Sequence, residues 1–207
     1  MHPIRGYIEN LKLVLDQLDT GRMAELIALL LYARERGSRI FFMGNGGSGS
    51  TAAHFATDLG KGTAVEGKPR FKVVPLTEHQ STFSAYANDL GYETVFAEPL
   101  KSLVERGDIV IGLSGSGNSR NVLAAMQAAR AAGAVCVGFT GFDGGKLSAL
   151  VDLNLHAPVL RMDQSEDAHH IMMHLICDCI RNAEAGQYPL PEWVMAEEWG
   201  LRVKRET

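Results

Sequence analysis

Two short loops carry the residue types best suited to chemistry, Gly44-Asn45-Gly46-Gly47-Ser48-Gly49-Ser50 and Ser114-Gly115-Ser116-Gly117-Asn118-Ser119. Each follows an apolar, strand-like run (Ile40 to Met43, Asp108 to Leu113) and precedes a stretch with helical spacing. A loop so placed presents backbone N–H groups and hydroxyls at a helix N-terminus, which favours an anion. Glycines let the main chain turn sharply and approach a ligand, and serines donate hydrogen bonds to phosphate oxygens without adding charge. Two such loops on one small chain predict a phosphorylated metabolite. Nucleotide binding is the weaker reading, because no Gly-Lys-Ser/Thr follows either loop and Gly44-Asn45-Gly46 lacks the third glycine of a dinucleotide fingerprint.

The elements that must position these loops alternate along the chain. Residues 4–18 (Ile4, Ile8, Leu11, Leu15, Leu18) and 22–36 (Met23, Leu26, Ile27, Leu30, Leu31) space apolar side chains by three and four, which predicts two amphipathic helices. Arg36-Gly37 closes the second, and Arg39 to Met43 reads as a buried strand entering the first loop, with a helix over Ser50–Leu59 behind it. Lys72 to Leu76 predicts a second strand that Pro75 either ends or confines to a sheet edge. Asp108–Leu113 is the third strand, Asn121–Ala131 an alanine-rich helix closed at Ala132-Gly133, and Val135–Phe139 a fourth strand entering Thr140-Gly141-Phe142-Asp143-Gly144-Gly145. A fifth strand is expected at Leu153–Leu155 and a long Met-rich helix over Asp167–Ala183. Strand, crossover helix and strand in repetition imply an α/β chain with a mainly parallel sheet and helices on both faces. Ligands of such sheets bind outside the carboxyl ends of the strands, where both loops fall.

Composition excludes several classes. The 207 residues suit one domain, with no linker or repeat dividing them, and the formal charge is only −4. No Lys/Arg cluster with interleaved aromatics marks a nucleic-acid binder, and no apolar run approaches the ~20 residues that span a bilayer. Met1-His2-Pro3-Ile4-Arg5 lacks the apolar core of a secretory signal, so a cytoplasmic location is expected. Cys136 falls in a strand, and Cys177 and Cys179 on a helix with C-x-C spacing, which fits buried small hydrophobes better than a disulfide framework or zinc ribbon. Residues 1–185 form the expected domain, and residues 186–207 a tail whose Trp193 and Trp199 predict docking on this subunit or a neighbour.

Gly44-Asn45-Gly46-Gly47-Ser48, then Ala53-His54-Phe55, Ala87-Asn88-Asp89, the serine loop, and Thr140-Gly141 with Asp143-Gly144-Gly145-Lys146-Leu147 strongly resemble the sugar isomerase (SIS) domain family, and within it the phosphoheptose isomerases. The likeness spans residues 5–183. It implies a flavodoxin-like three-layer sandwich with a five-stranded sheet, and a homotetramer whose active sites are shared between subunits. It also implies conversion of sedoheptulose 7-phosphate to D-glycero-D-manno-heptose 7-phosphate through an enediolate. By this resemblance Ser48, Ser114, Ser116 and Ser119, with the backbone of Gly46 and Gly115, hold the sugar phosphate, and Asn45, Asp89 and Glu166 line the sugar end.

The same resemblance implies a divalent metal, commonly Zn²⁺, held by His54, Asp58, Glu166 and His174, with Asp58 and His174 as the catalytic pair. The spacing of four between His54 and Asp58 puts both on one helix face, and Glu166, His170 and His174 likewise share a face. Asp58 stands where the family has glutamate, and Glu166 where it has glutamine. The set then carries one more negative charge than the family's, which predicts tighter metal binding and weaker Lewis acidity.

Blander readings compete. His54 alone fits an interior histidine, and Glu166, Asp167, His169 and His170 fit a solvated first helical turn. His174, among Ile171, Met172, Met173, Leu175 and Ile176, is a costly polar inclusion without a ligand. Asp143-Gly144-Gly145 reads as a tight turn, and His79 as a loop residue near a strand end. Two rival functions remain at this level: a non-catalytic SIS protein that binds sugar phosphate or serves as a scaffold, and an isomerase of another sugar phosphate. A scaffold has no use for the histidine and carboxylate set.

Overall fold

The computed structural model describes residues 2–186; the expected docking of Trp193 and Trp199 lies outside them. Asp19 accepts a hydrogen bond from the Arg22 N–H (3.0 Å) at the start of helix α2 (Thr20–Arg36), and Gly37, at φ 67°, ends it in the left-handed conformation that glycine adopts freely. Helix α1 (Pro3–Asp16) precedes it. The chain then alternates through β1 (Arg39–Gly44), α3 (Gly46–Thr57), β2 (Lys72–Pro75), α4 (Gln80–Asp89) and α5 (Ala97–Leu103). It continues through β3 (Ile109–Ser114), α6 (Arg120–Ala131), β4 (Val135–Thr140), α7 (Gly145–Leu150), β5 (Leu153–His156) and α8 (Met162–Glu184).

All five strands are parallel, in the order β2-β1-β3-β4-β5, the flavodoxin-like order. Pro75 pairs with Phe42 at the end of an edge strand, where its missing N–H interrupts no inner ladder. From β1 the chain steps to β2 on one side and returns to β3 on the other. That reversal opens a crevice at the carboxyl ends of β1 and β3, where Gly44 lies level with Leu113 and both loops begin.

Alternate strand residues face opposite layers. Ile40, Phe42, Ile111, Val137 and Phe139 pack beneath α2, α3 and α8, while Phe41, Met43, Val110 and Cys136 pack beneath α5, α6 and α7. Phe55 joins α3 to the first layer, edge-on to Phe42 at 5.2 Å and to Phe139 at 6.0 Å between ring centroids. Burial of each such ring contributes roughly 2 kcal/mol. Cys136 and Cys177 are buried as expected, and burial pushes both thiols up to about 12; Cys179 instead faces solvent, because two residues along a helix is half a turn. Helix α1 is held to α8 by polar bonds: the Tyr7 hydroxyl donates to Asp167 (2.5 Å), and the Asn10 amide donates to Gln164.

The Thr140–Gly145 loop braces the serine loop. Gly141 N–H donates to the Gly115 carbonyl (2.8 Å), Leu147 N–H to the Gly117 carbonyl (2.9 Å), and Lys146 N–H to Asn118 Oδ1 (3.2 Å). Asp143 accepts from the Gly145 N–H (3.0 Å), so the tight-turn reading of this segment is the one the structure supports. Gly117 sits at φ 64°, and a Cβ there would run into the Gly144 carbonyl.

Five elements differ from the sequence expectation. Helices α4, α5 and α7 are short and carry little periodic signal, so none was foreseen. Helix α8 begins at Met162 rather than Asp167, which takes Glu166 to His170 out of the first turn. Asp58–Gly62 forms a π-helical turn continuing from α3, where an ordinary helix was expected through Leu59. Among the described residues no helix is long and apolar enough to cross a membrane.

His169 is buried under this architecture, its Nε2 3.0 Å from the Thr140 carbonyl and its Nδ1 without a partner among the described residues. Burial pushes its pKa down to about 4, since a proton on Nδ1 would be an unpaired buried donor. The unfolded chain therefore binds an extra proton between about pH 6.5 and pH 4, and stability is full above that window and falls through it, by up to ~3 kcal/mol. Urea unfolding of wild type and His169→Gln across pH 4.5–7 should show the variant losing that share of the slope; parallel curves would contradict it. For Gly117→Ala, the left-handed backbone and the Gly144 contact predict a loss of at least ~2 kcal/mol in the same assay.

Candidate active site

The two loops are clamped together by a pair of asparagines. Asn45, the N-cap of α3, donates to Asn121 Oδ1 (2.9 Å), and Asn121, buried in the first turn of α6, donates to Asn45 Oδ1 (2.8 Å). The Tyr92 hydroxyl donates to the same Asn45 oxygen (2.9 Å). The N-terminal turns of α3 and α6, with their unpaired N–H groups, are thereby fixed side by side at the mouth of the crevice. Ser48 lies buried in the first turn of α3, Ser114 ends β3 with its hydroxyl 3.0 Å from that of Ser119, and Ser116 Oγ accepts from the Asn118 N–H (3.3 Å).

A cleft of about 740 Å³ opens beside the first loop, lined by Gly44, Asn45, Gly46, Ser50, Thr77 and Tyr92 among others. Ser48 and the serines of the second loop are not among its lining residues. Asp89 does not join Asn45: it ends α4 and lines a separate depression with Ser81, Thr82, Tyr86 and Leu90, because the unforeseen helix carries it onto its outer side. His79 lines a further small cavity against Leu76, Phe83 and Val95.

The titratable groups converge elsewhere, along two parallel helices. On α3 and the first residue of the π-helical turn that continues it, Gly47, Thr51, His54 and Asp58 follow one another at spacings of four and three; on α8, Glu166, His170 and His174 follow at four. These rows meet rung by rung. A side chain at Gly47 would collide with the Glu166 carboxylate, and Thr51 Oγ1 lies 3.4 Å from His170 Nδ1. The His54 ring is 5.0 Å from those of both His170 and His174, which are 4.6 Å from each other. Asp58 Oδ2 lies 3.5 Å from His54 Nε2 and 3.7 Å from His174 Nε2. At the end of the π-helical turn, Arg181 donates to the Gly62 carbonyl (3.1 Å) and closes the ladder.

One potential ligand atom from each of His54, His170 and His174 lies within 4.8 Å of the others, with Asp58 against two of the three. This donor set, imidazole nitrogens with a carboxylate, fits a first-row divalent cation. Burial, and then the neighbouring His174 and His54, hold the His170 pKa below the usual histidine range, which keeps the ring in the neutral form that ligates. The side chains of His54 and His174 remain 42% and 47% exposed, so the cluster opens to the protein surface.

Glu166 is not one of the gathered groups. A helix rises ~1.5 Å per residue, so Glu166, level with Gly47, stands two turns short of His174, whereas His54 and Asp58 span about one turn. The resemblance implies Glu166 at the metal; the structure places it over the first turn of α3, and puts His170 among the rings. Thr51, Asn121 and Tyr92 were also missed. The four-residue spacing through His170 was a visible signal, while Asn121 and Tyr92 had none, since only the tertiary fold brings them to Asn45.

Known proteins resemble this chain in sequence and in fold. Residues 6–141 match the family model described as SIS domain. A phosphoheptose isomerase of Helicobacter hepaticus is 38% identical over 159 residues, covering 77% of this chain and 80% of its own. That of Geobacter metallireducens is 35% identical over 180 residues, covering 87% and 94%. Among solved structures, the phosphoheptose isomerase of Neisseria gonorrhoeae superposes with a TM-score of 0.78 at 30% identity, over 86% of this chain and 95% of its own. The Francisella tularensis phosphoheptose isomerase gives a TM-score of 0.80 at 26% identity, over 86% and 96%. These likenesses establish that the chain belongs to the SIS domain family, among its phosphoheptose isomerases.

Proposed function

We propose that this aldose–ketose isomerase converts sedoheptulose 7-phosphate to D-glycero-D-manno-heptose 7-phosphate, with Asp58 and His174 moving the protons. The observation that carries the assignment is the approach of the Asp58 carboxylate to the His54 and His174 rings, on a helix that begins at a phosphate-type loop. Ser48, Ser114, Ser116 and Ser119 and the free N–H groups of the α3 and α6 first turns bind the phosphate. Gly46, where a Cβ would meet nothing, admits it close to the main chain, whereas the same side of Gly115 is covered by Met162.

Asp58 Oδ2 faces the imidazoles, which leaves Oδ1 for the substrate. Its carboxylate takes a proton from C1 of the ketose; the C–H electron pair becomes the C1–C2 double bond and the carbonyl pair moves onto O2. The proton returns to C2 on the electron pair of the C1–C2 double bond, the O1–H pair becomes the C1–O1 double bond of the new carbonyl, and His174 carries the hydroxyl proton from O1 to O2. A divalent cation held by His54, Asp58 and His174, with Zn²⁺ the best match to these donors, would supply Lewis-acid stabilisation of the enediolate oxygens. Aspartate in place of the family's glutamate shortens the base by one methylene, and this favours, as a second reading, a different sugar phosphate.

A homotetramer with sites between subunits belongs to the same reading. Its support is the exposed Leu175, next in sequence to His174, and the exposed Ile4, Ile8 and Leu13 of α1, which a single protomer leaves in water. A cytoplasmic setting fits as well, since charged sugar phosphates do not cross a bilayer unaided.

Asp58→Asn should lower kcat by about 10³-fold while ketose phosphate affinity, followed by calorimetry, stays within about 3-fold. Undiminished turnover would remove Asp58 from the role of base.

A further inference from the structure

We infer that His170 is a ligand of the cation at this site and that Glu166 is not, so that one protomer supplies three imidazoles and one carboxylate. The inference rests on the reading of the site as one that holds a divalent cation, and changes which residues hold it.

Three observations carry it. First, His170 offers a nitrogen within 4.8 Å of those of His54 and His174, a separation that small side-chain adjustments close around one ion. Second, the ring has a positioning partner: buried Thr51, one rung up from Gly47 on α3, places its hydroxyl 3.4 Å from Nδ1, leaving Nε2 as the nitrogen free to ligate. Third, Glu166 has another place. Its carboxylate covers Gly47 in the first turn of α3, where a negative charge meets the positive end of the helix dipole.

The change of ligand reverses the electrostatics expected from the sequence. Two histidines and two carboxylates neutralise a divalent cation, whereas three neutral histidines and Asp58 leave one net positive charge at the site. The three-histidine set therefore makes the stronger Lewis acid, and withdraws Glu166 to the edge of the phosphate loops.

The test uses the full-length protein, stripped with chelator and titrated with Co²⁺ while the visible absorption of the ion is recorded. Competition against a chromophoric chelator measures affinity for Zn²⁺ in parallel. His170→Ala should weaken both ions by at least about 10-fold and alter the Co²⁺ bands, while Glu166→Ala, which removes the donor outright, keeps wild-type bands and affinity within about 3-fold. His170→Gln serves if the alanine variant fails to fold. Thr51→Val should shift the Co²⁺ bands and Thr51→Ser restore them, a pattern that a purely structural threonine would not produce. Wild-type bands and affinity in the His170 variants, or loss of binding in Glu166→Ala alone, would overturn the assignment. Wild-type protein that binds neither ion would overturn it too, and if that protein still isomerises the ketose phosphate, the isomerase reading stands without it.

Discussion

The packing of α3 against α8, side by side and pointing the same way, is the constraint on which the rest of this molecule depends. Neither helix carries a site alone. Each presents a stripe one residue wide, and only their equal height brings His54 and Asp58 to His170 and His174. Height is set from below by the sheet. Phe55 of α3 is wedged against Phe42 and Phe139, and α8 buries Ala168, Met172, Met173 and Ile176 in the same layer. A shift of either helix by one residue would rotate its stripe by about 100° and disperse the polar groups.

Close approach at the N-terminal end of the ladder requires the glycine at position 47, which is why the first loop serves two purposes. It exposes N–H groups to an anion, and it admits α8 near enough for Glu166 to lie across it. The second loop is held by different means, through Asn121 to Asn45 and through the Gly144 turn against Gly117. Both loops begin at the switch point of the sheet, so the strand order is what sets them side by side.

The histidines of α8 differ in burial. His169, one residue before His170, points into the core and is neutral, whereas His170 and His174 point toward α3 and the surface. Adjacent helical residues differ in direction by about 100°, enough to make one histidine structural and its neighbour available to a ligand.

Much of this was legible in the chain. Strands rich in Val, Ile and Phe, glycine-closed helices and the two loops follow from local rules, because backbone sterics and apolar periodicity act over a few residues. His54 with Asp58, and His170 with His174, were each visible as pairs on one face for the same reason. What the sequence could not decide was which rung of one helix meets which rung of the other. That depends on how high each helix rides on the sheet, a sum over contacts such as Phe55 with Phe139 that are remote in sequence. So the chain alone determined the kinds of group and their faces, while the tertiary structure chose His170 over Glu166 and tied Asn45 to Asn121.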